Sequence, residues 1–169
     1  SSPSRGLGDV YKRQEMAAII EACTCTTLRK ASRVVTSLFD QAFEPTGLKS
    51  TQLAVLLAAA VHGPTTIREL AEASVMDPSS LSRALPRLEE MGLVQKTVGT
   101  SKRTKMIEVT ETGLSKILEA GPYWEIAQQI FVEAVGEEDH PILLEYLNRA
   151  ISVDTAKLEV LMTRESVAA

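Results

Sequence analysis

With 169 residues, 44% of them hydrophobic and only 4% aromatic, the chain has the material for one domain with an extension, and its Leu, Ala and Val content favours helix packed on helix over a β-sandwich. No apolar run approaches the ~20 residues that span a bilayer, and no apolar core follows the early positive charges as it would in a secretory signal, so a cytoplasmic protein with no membrane partner is expected. A formal net charge of −4 excludes a uniformly basic nucleic-acid binder, but residues 65–110 hold seven Lys and Arg against six Asp and Glu, whereas residues 111–169 hold four against eleven.

Residues 1–14 have no apolar period, and Asp9-Val10-Tyr11-Lys12-Arg13-Gln14 resembles the in-frame translation of a transposon-end adapter. The stretch is read as foreign and disordered, which puts the native start at Met16 or further upstream. From about Thr27 to Phe43, the residues Leu28, Ala31, Val34, Val35, Leu38, Phe39 and Ala42 recur at intervals of three and four, the pattern of an amphipathic helix. It dominates segment 15–46, which is expected to serve dimerisation. Glu44-Pro45-Thr46-Gly47 ends it. A second helix follows, capped by Ser50 or Thr51, and Gln52–His62 is so nearly all apolar that it belongs in the middle of the domain. Gly63-Pro64 stops it.

Thr66 opens a brief third helix, Ile67–Ala73, with Glu69 at capping-box distance. After the turn Ser74-Val75-Met76 comes a helix with a sharp start and stop. Asp77 can cap it, Pro78 sits at its first position, and Gly92 suits a left-handed exit. Leu81, Ala84, Leu85 and Leu88 form its buried stripe, while Ser79, Ser80, Arg83 and Arg87 lie on the other face, where hydroxyls and guanidinium groups suit phosphates and base edges. Two short helices joined by a tight turn make a helix-turn-helix. The period then changes: Leu93–Val98 and Thr104–Val109 read as strands of a hairpin. Its tip carries Lys102 and Arg103, with Lys105 beside it, placed as a wing to reach the minor groove or backbone.

Thr110 caps a helix towards Ala120, which Gly121-Pro122 interrupts or kinks before it resumes to Gly136. A last helix starts between Glu137 and Pro141, with a stripe from Leu143 to Leu161, and the tail from Thr163 is expected to fray. The fold class is therefore mainly α with a small β-hairpin wing. A winged helix-turn-helix over 47–110 is flanked by the N-terminal dimerisation helix and by C-terminal dimerisation helices over 111–169, giving a two-fold dimer.

The order and spacing of several pieces resemble the MarR family of winged-helix transcriptional regulators. They are Gly47-Leu48 with Gln52, Ile67-Arg68-Glu69-Leu70-Ala71, Met76-Asp77-Pro78-Ser79-Ser80-Leu81-Ser82-Arg83, Leu88-Glu89 with Gly92-Leu93-Val94, and Val109-Thr110-Glu111-Thr112-Gly113. The resemblance covers about Leu28 to Ala156. It implies a homodimer on a roughly palindromic operator, with the second helix of the motif in the major groove and the wing on the minor groove. Ser79, Ser80, Ser82, Arg83 and Arg87 then fall on the recognition helix and Arg103 on the wing arginine. Two departures stand out. Ser101 occupies the place of the acidic residue that braces that arginine, and Pro86 removes a hydrogen bond to the Ser82 carbonyl inside the recognition helix, which should bend it.

Cys23 and Cys25 lack the matching histidine pair that zinc needs, so neither a metal nor another cofactor is expected. In cysteine placement, Cys25-Thr26-Thr27-Leu28-Arg29-Lys30-Ala31-Ser32-Arg33 resembles the organic-hydroperoxide-sensing subgroup of the family, so Cys25, with Cys23 beside it, is the candidate redox thiol. A thiol at a helix N-terminus, with Arg29 one turn on, would be acidified and open to oxidation. Where that subgroup has tyrosines, this chain has Arg29 and Phe39. The family also implies a small, often aromatic, ligand in a cleft that Tyr123 and Trp124 would line. No nucleophile–base pair or phosphate loop points to an enzyme. The expected function is sequence-specific transcriptional regulation, as a repressor released by a small ligand or by thiol oxidation. The alternative is a winged-helix protein–protein adaptor that binds no DNA.

Overall fold

The computed structural model describes residues 3–99 and 104–168. Helix α1 (Pro3–Ala22) is followed by α2 (Thr24–Ala42), a 3-10 turn (Glu44–Thr46), α3 (Ser50–His62), strand β1 (Thr65–Thr66), α4 (Ile67–Ala73) and α5 (Pro78–Glu90). Then come strands β2 (Val94–Val98) and β3 (Lys105–Val109), and helices α6 (Glu111–Val135), α7 (Asp139–Ile151) and α8 (Ala156–Ala168). Two compact units divide the chain, Ser1–Ala127 and Gln128–Ala169.

In the first unit, α1 takes in most of the stretch that sequence patterning left without regular structure, and its residues 8–22 are all exposed. Helix α2 begins at Thr24, three residues before its apolar period, with Cys23 as its N-cap residue. Cys25 therefore lies inside the first turn. The link to α3 is built locally. Buried Thr46 donates its hydroxyl to the Phe43 carbonyl at 2.7 Å and accepts the Leu48 N–H at 3.1 Å, and Gly47 turns the chain at φ +72°. The residue that caps α3 is Lys49, not Ser50 or Thr51. Asp40 of α2 reaches across instead, its Oδ1 accepting the Ser50 N–H and hydroxyl at 2.7 Å each.

Helix α3 is not buried all round. Leu53, Val55, Leu56 and Ala59 enter the core, while Leu57 and Val61 face outwards. The core of this unit joins them to Leu70 of α4, to Leu81, Leu85 and Leu88 of α5, to Ile107 of β3 and to Ala120 of α6. The sheet is antiparallel in the order β1-β3-β2, with Val94 opposite Val109, Lys96 opposite Ile107 and Thr65 also opposite Ile107. The expected hairpin is thus present, and β1 adds an edge that two β-branched residues are too short to announce.

Helix α6 runs unbroken through Gly121 and Pro122, whereas an interruption was one expectation there. Proline adopts helical φ and forfeits one hydrogen bond, and Ala120 and Ala127, both fully buried, hold the helix on either side of it. In the second unit, the stripe read as one last helix belongs to two, α7 and α8. Asp154 accepts the Ala156 N–H at 3.0 Å and restarts the helix, whose backbone continues past Thr163 to Ala168. Within this unit His140 meets Gln128 at 3.2 Å and packs edge-on against Phe131.

Candidate nucleic-acid interface

The helix-turn-helix starts with a complete capping box. The Thr66 hydroxyl accepts the Glu69 N–H at 3.2 Å, and Glu69 Oε2 accepts the Thr66 N–H at 2.9 Å. Hydrogen bonds from Thr66, backbone first and then hydroxyl, and from Thr65 hold the Glu69 carboxyl below its usual range. Helix α4 ends in a turn in which Val75 adopts φ +55°, left-handed backbone that a β-branched residue rarely takes. Asp77 then caps α5.

The Asp77 carboxylate accepts three bonds: the Ser79 hydroxyl on Oδ1, the Ser80 hydroxyl on Oδ2, and the Ser80 N–H on Oδ1 at 2.9 Å. The two hydroxyls, and after them the backbone N–H, hold this carboxyl far below the usual range. Arg83 Nη2 in turn donates to Ser80 Oγ at 3.1 Å. Ser79, Ser82 and Arg83 are exposed and Ser80 is half-buried. One turn on, Arg87 Nη1 lies 3.1 Å from Glu90 Oε2, with both side chains about two-thirds exposed (67% and 68%). Such a pair contributes little in water and opens readily for a better anion.

The opposite face of α5 is committed to the core. Leu81, Leu85 and Leu88 are each at most 1% exposed, and burial of each contributes roughly 1.5–3 kcal/mol. Ala84, the fourth residue of the expected stripe, is half-buried. Pro86 is exposed and the helix continues through it. Gly92 leaves at φ +70°, and the Leu93 N–H bonds back to the Leu88 carbonyl at 2.9 Å.

The hairpin is fixed to α5 and α6. Lys96 Nζ of β2 stands 2.7 Å from Glu89 Oε1, which takes no well-directed hydrogen bond and is neutralised by that ammonium. The Thr110 hydroxyl donates to the Gly92 carbonyl and accepts the Gly113 N–H at 3.0 Å, capping α6. Lys105 is exposed at the start of β3, opposite Val98. Lys102 and Arg103, and Ser101 with them, lie outside the described residues. Sequence patterning thus located α5 and its polar face, but it missed Asp77 as the common acceptor for Ser79 and Ser80 and Lys96 as the partner of Glu89. The spacing Asp-Pro-Ser-Ser held the first signal.

Cys23 is half-buried and Cys25 exposed, and both are free thiols. The Thr26 hydroxyl and then its N–H draw the Cys23 thiol below its ordinary range, although Cys23 closes no regular cap hydrogen bond. Tyr123 packs against the core of the first unit, whereas Trp124, about 100° further round α6, is 46% exposed. No group of three or more His, Cys, Asp or Glu suited to a metal occurs among the described residues. No helix of the described residues is long and apolar enough to cross a membrane.

A model of the MarR family matches residues 48–103. An uncharacterised HTH-type transcriptional regulator of Bacillus cereus is 33% identical over 103 residues, 60% of this chain and 69% of that protein. The HTH-type transcriptional repressor NicR of Pseudomonas putida is 36% identical over 87 residues, 51% of this chain and 55% of that protein, so the chain spans little more than half of NicR. Among solved structures, the M. tuberculosis transcriptional regulator MosR in complex with DNA superposes with a TM-score of 0.63 at 29% identity, covering 78% of this chain and 99% of that one.

Proposed function

The chain belongs to the MarR family, and on that premise we propose that it is a sequence-specific DNA-binding transcriptional regulator, a repressor acting as a homodimer on a roughly palindromic operator. One observation carries this reading. Helix α5 buries its leucine side completely, while its other side offers Ser79, Ser82, Arg83 and Arg87 to solvent. Such a helix supplies base-edge contacts from a rigid platform. Lys105, with Lys102 and Arg103 just before it in the sequence, would contact the adjacent backbone or minor groove. The MosR complex and the repressor NicR support DNA binding and repression respectively.

Titration of duplex DNA binding against salt tests this. A net charge of −4 gives no general attraction to DNA, so binding must come from local cations. Affinity should fall steeply as salt rises, and removing a phosphate contact should flatten the slope by about one unit per cation. Arg83→Ala and Arg87→Ala should each weaken operator binding by roughly 5- to 150-fold. No binding to duplex DNA at any salt would turn the reading to a protein–protein adaptor.

Release would follow from a small, often aromatic, ligand near Tyr123 and Trp124, or from oxidation. The lowered Cys23 thiol favours the second route. An organic hydroperoxide passes one oxygen to the thiolate, which becomes sulfenic acid, and the departing alkoxide takes up a proton to leave as alcohol. Operator release by hydroperoxide should be lost in Cys23→Ser or in Cys25→Ser. Equal release in the parent and both variants would remove the thiols from the mechanism.

A further inference from the structure

We propose that Asp77 is a specificity-positioning residue: by accepting the hydroxyl hydrogen bonds of Ser79 and Ser80, it leaves those hydroxyls able only to accept, so that α5 selects bases that present an exocyclic amino group in the major groove. The inference rests on the DNA-reading role assigned above to α5. Its physical basis is the direction of the bonds at the helix start. A carboxylate has no proton to give. Hydroxyls bonded to it must therefore donate, and donor and acceptor are fixed by charge rather than by the choice of a rotor position. Ser79 Oγ donates to Asp77 Oδ1 and Ser80 Oγ donates to Asp77 Oδ2. Ser80 Oγ also accepts from Arg83 Nη2 at 3.1 Å. Each serine has its single O–H committed inwards, and what remains on Ser79 and Ser80 is lone-pair density.

Two consequences follow. Lone pairs repel phosphate oxygens, so the serines are poor phosphate contacts, although hydroxyls in general suit them. In the major groove each base pair offers one exocyclic amino donor, N4 of cytosine or N6 of adenine. An acceptor-only hydroxyl selects the orientation of the pair that brings that amino group to it. Guanine N7 and O6 and thymine O4 are acceptors and are disfavoured at the same place. Arg83, tied to Ser80, sits beside this reader as a donor for guanine or phosphate. Asp77 itself need touch no base.

The test is selection of binding sites by the intact parent chain from a randomised duplex library, repeated with Asp77→Asn, Ser79→Ala and Ser80→Ala. Asparagine caps helices as well as aspartate does, and circular dichroism checks that the variant is folded. Its amide both donates and accepts, which releases at least one serine proton to face outwards. At one or two positions of each half-site, the parent should prefer the orientation of the pair that puts adenine or cytosine, and not guanine or thymine, on the strand whose preference the serine variants change. In Asp77→Asn that preference should fall by roughly fivefold or more, and the serine variants should lose it at the same positions. A base analogue lacking the exocyclic amino group at those positions should weaken the parent by a similar factor and Asp77→Asn much less. Losing a negative charge can strengthen all sequences together, but it leaves the ratio between bases unchanged. Salt-sensitive binding by the parent with the same base preferences in Asp77→Asn would overturn this inference and leave the DNA-binding role standing. Absence of DNA binding by the parent at any salt would overturn both.

Discussion

At the scale of single residues, Gly113 shows how a close approach decides a sign. An ideal Cβ there would lie 2.1 Å from the Leu93 carbonyl oxygen and 2.7 Å from Val109 Cγ2. That carbonyl also accepts the Thr110 N–H at 3.0 Å, so neither the Leu93 backbone nor the start of α6 can easily give way. Gly to Ala inside a helix ordinarily gains about 1 kcal/mol, and overpacking against backbone loses about 1–3 kcal/mol. Gly113→Ala is expected to destabilise by up to about 2 kcal/mol in urea unfolding, and a stabilised variant would refute the contact. Glu69 makes a second prediction. Its folded carboxyl lies below its ordinary value of 4.5, so its stabilising share is complete above that pH and is lost as the pH falls. Glu69→Gln should therefore show a shallower loss of stability than the parent between about pH 5 and about pH 3. The capping box and the Asp77 cap were legible because both partners lie within three residues. Gly113 was visible only as a motif letter, since the Leu93 carbonyl it approaches lies twenty residues earlier in the sequence. The left-handed Val75 was not legible at all, because it runs against the rule that reserves such backbone for Gly, Asn and Asp.

At the scale of elements, the two internal prolines carry the argument. Sequence patterning expects Pro86 to bend α5 and Gly121-Pro122 to interrupt or kink α6, and both helices continue through their prolines. In α5, Leu85 and Leu88 on either side of Pro86 are anchored in the core, and the Ser82 carbonyl that loses its partner belongs to an exposed residue where water can replace it. A helix fixed by burial on both sides tolerates a fault that propensity alone would not. Propensity still opposes it: Pro86→Ala is expected to raise stability by up to about 3 kcal/mol. If Pro86 also sets the angle between Arg83 and Arg87, the same variant should bind operator more weakly, so that stability and affinity move in opposite directions. Unchanged affinity would make Pro86 a tolerated fault with no part in recognition. The split between α7 and α8 escaped the sequence for a related reason. Ile151 and Leu158 are seven residues apart, a helical interval, and the apolar period runs straight across a turn that only the Asp154 cap reveals.

At the scale of the whole molecule, apolar exposure is what supports the proposed second copy of the chain. Helices α2 and α7 are amphipathic but contain no buried residue. In the first unit Val34 is 65% exposed, and in the second Tyr146 is 59%, Ile151 68% and Leu158 62% exposed, large apolar side chains along helix stripes that face water. These residues are the stripes that periodicity assigned to dimerisation. The stripes were legible from their helical period, and the pairing proposed for them is read from the oligomeric state. Sedimentation equilibrium at micromolar concentration should therefore give twice the chain mass. Ile151→Glu combined with Leu158→Glu removes two side chains whose burial would contribute roughly 1.5–3 kcal/mol each. Dimerisation should weaken by at least about a hundredfold. Operator affinity should fall with it, because one α5 alone reaches one half-site, while binding to a half-site duplex should stay nearly constant. The half-site control matters: lost binding to both duplexes would point to unfolding, and unchanged binding to both would show that the exposed stripes serve something other than pairing of the two recognition helices.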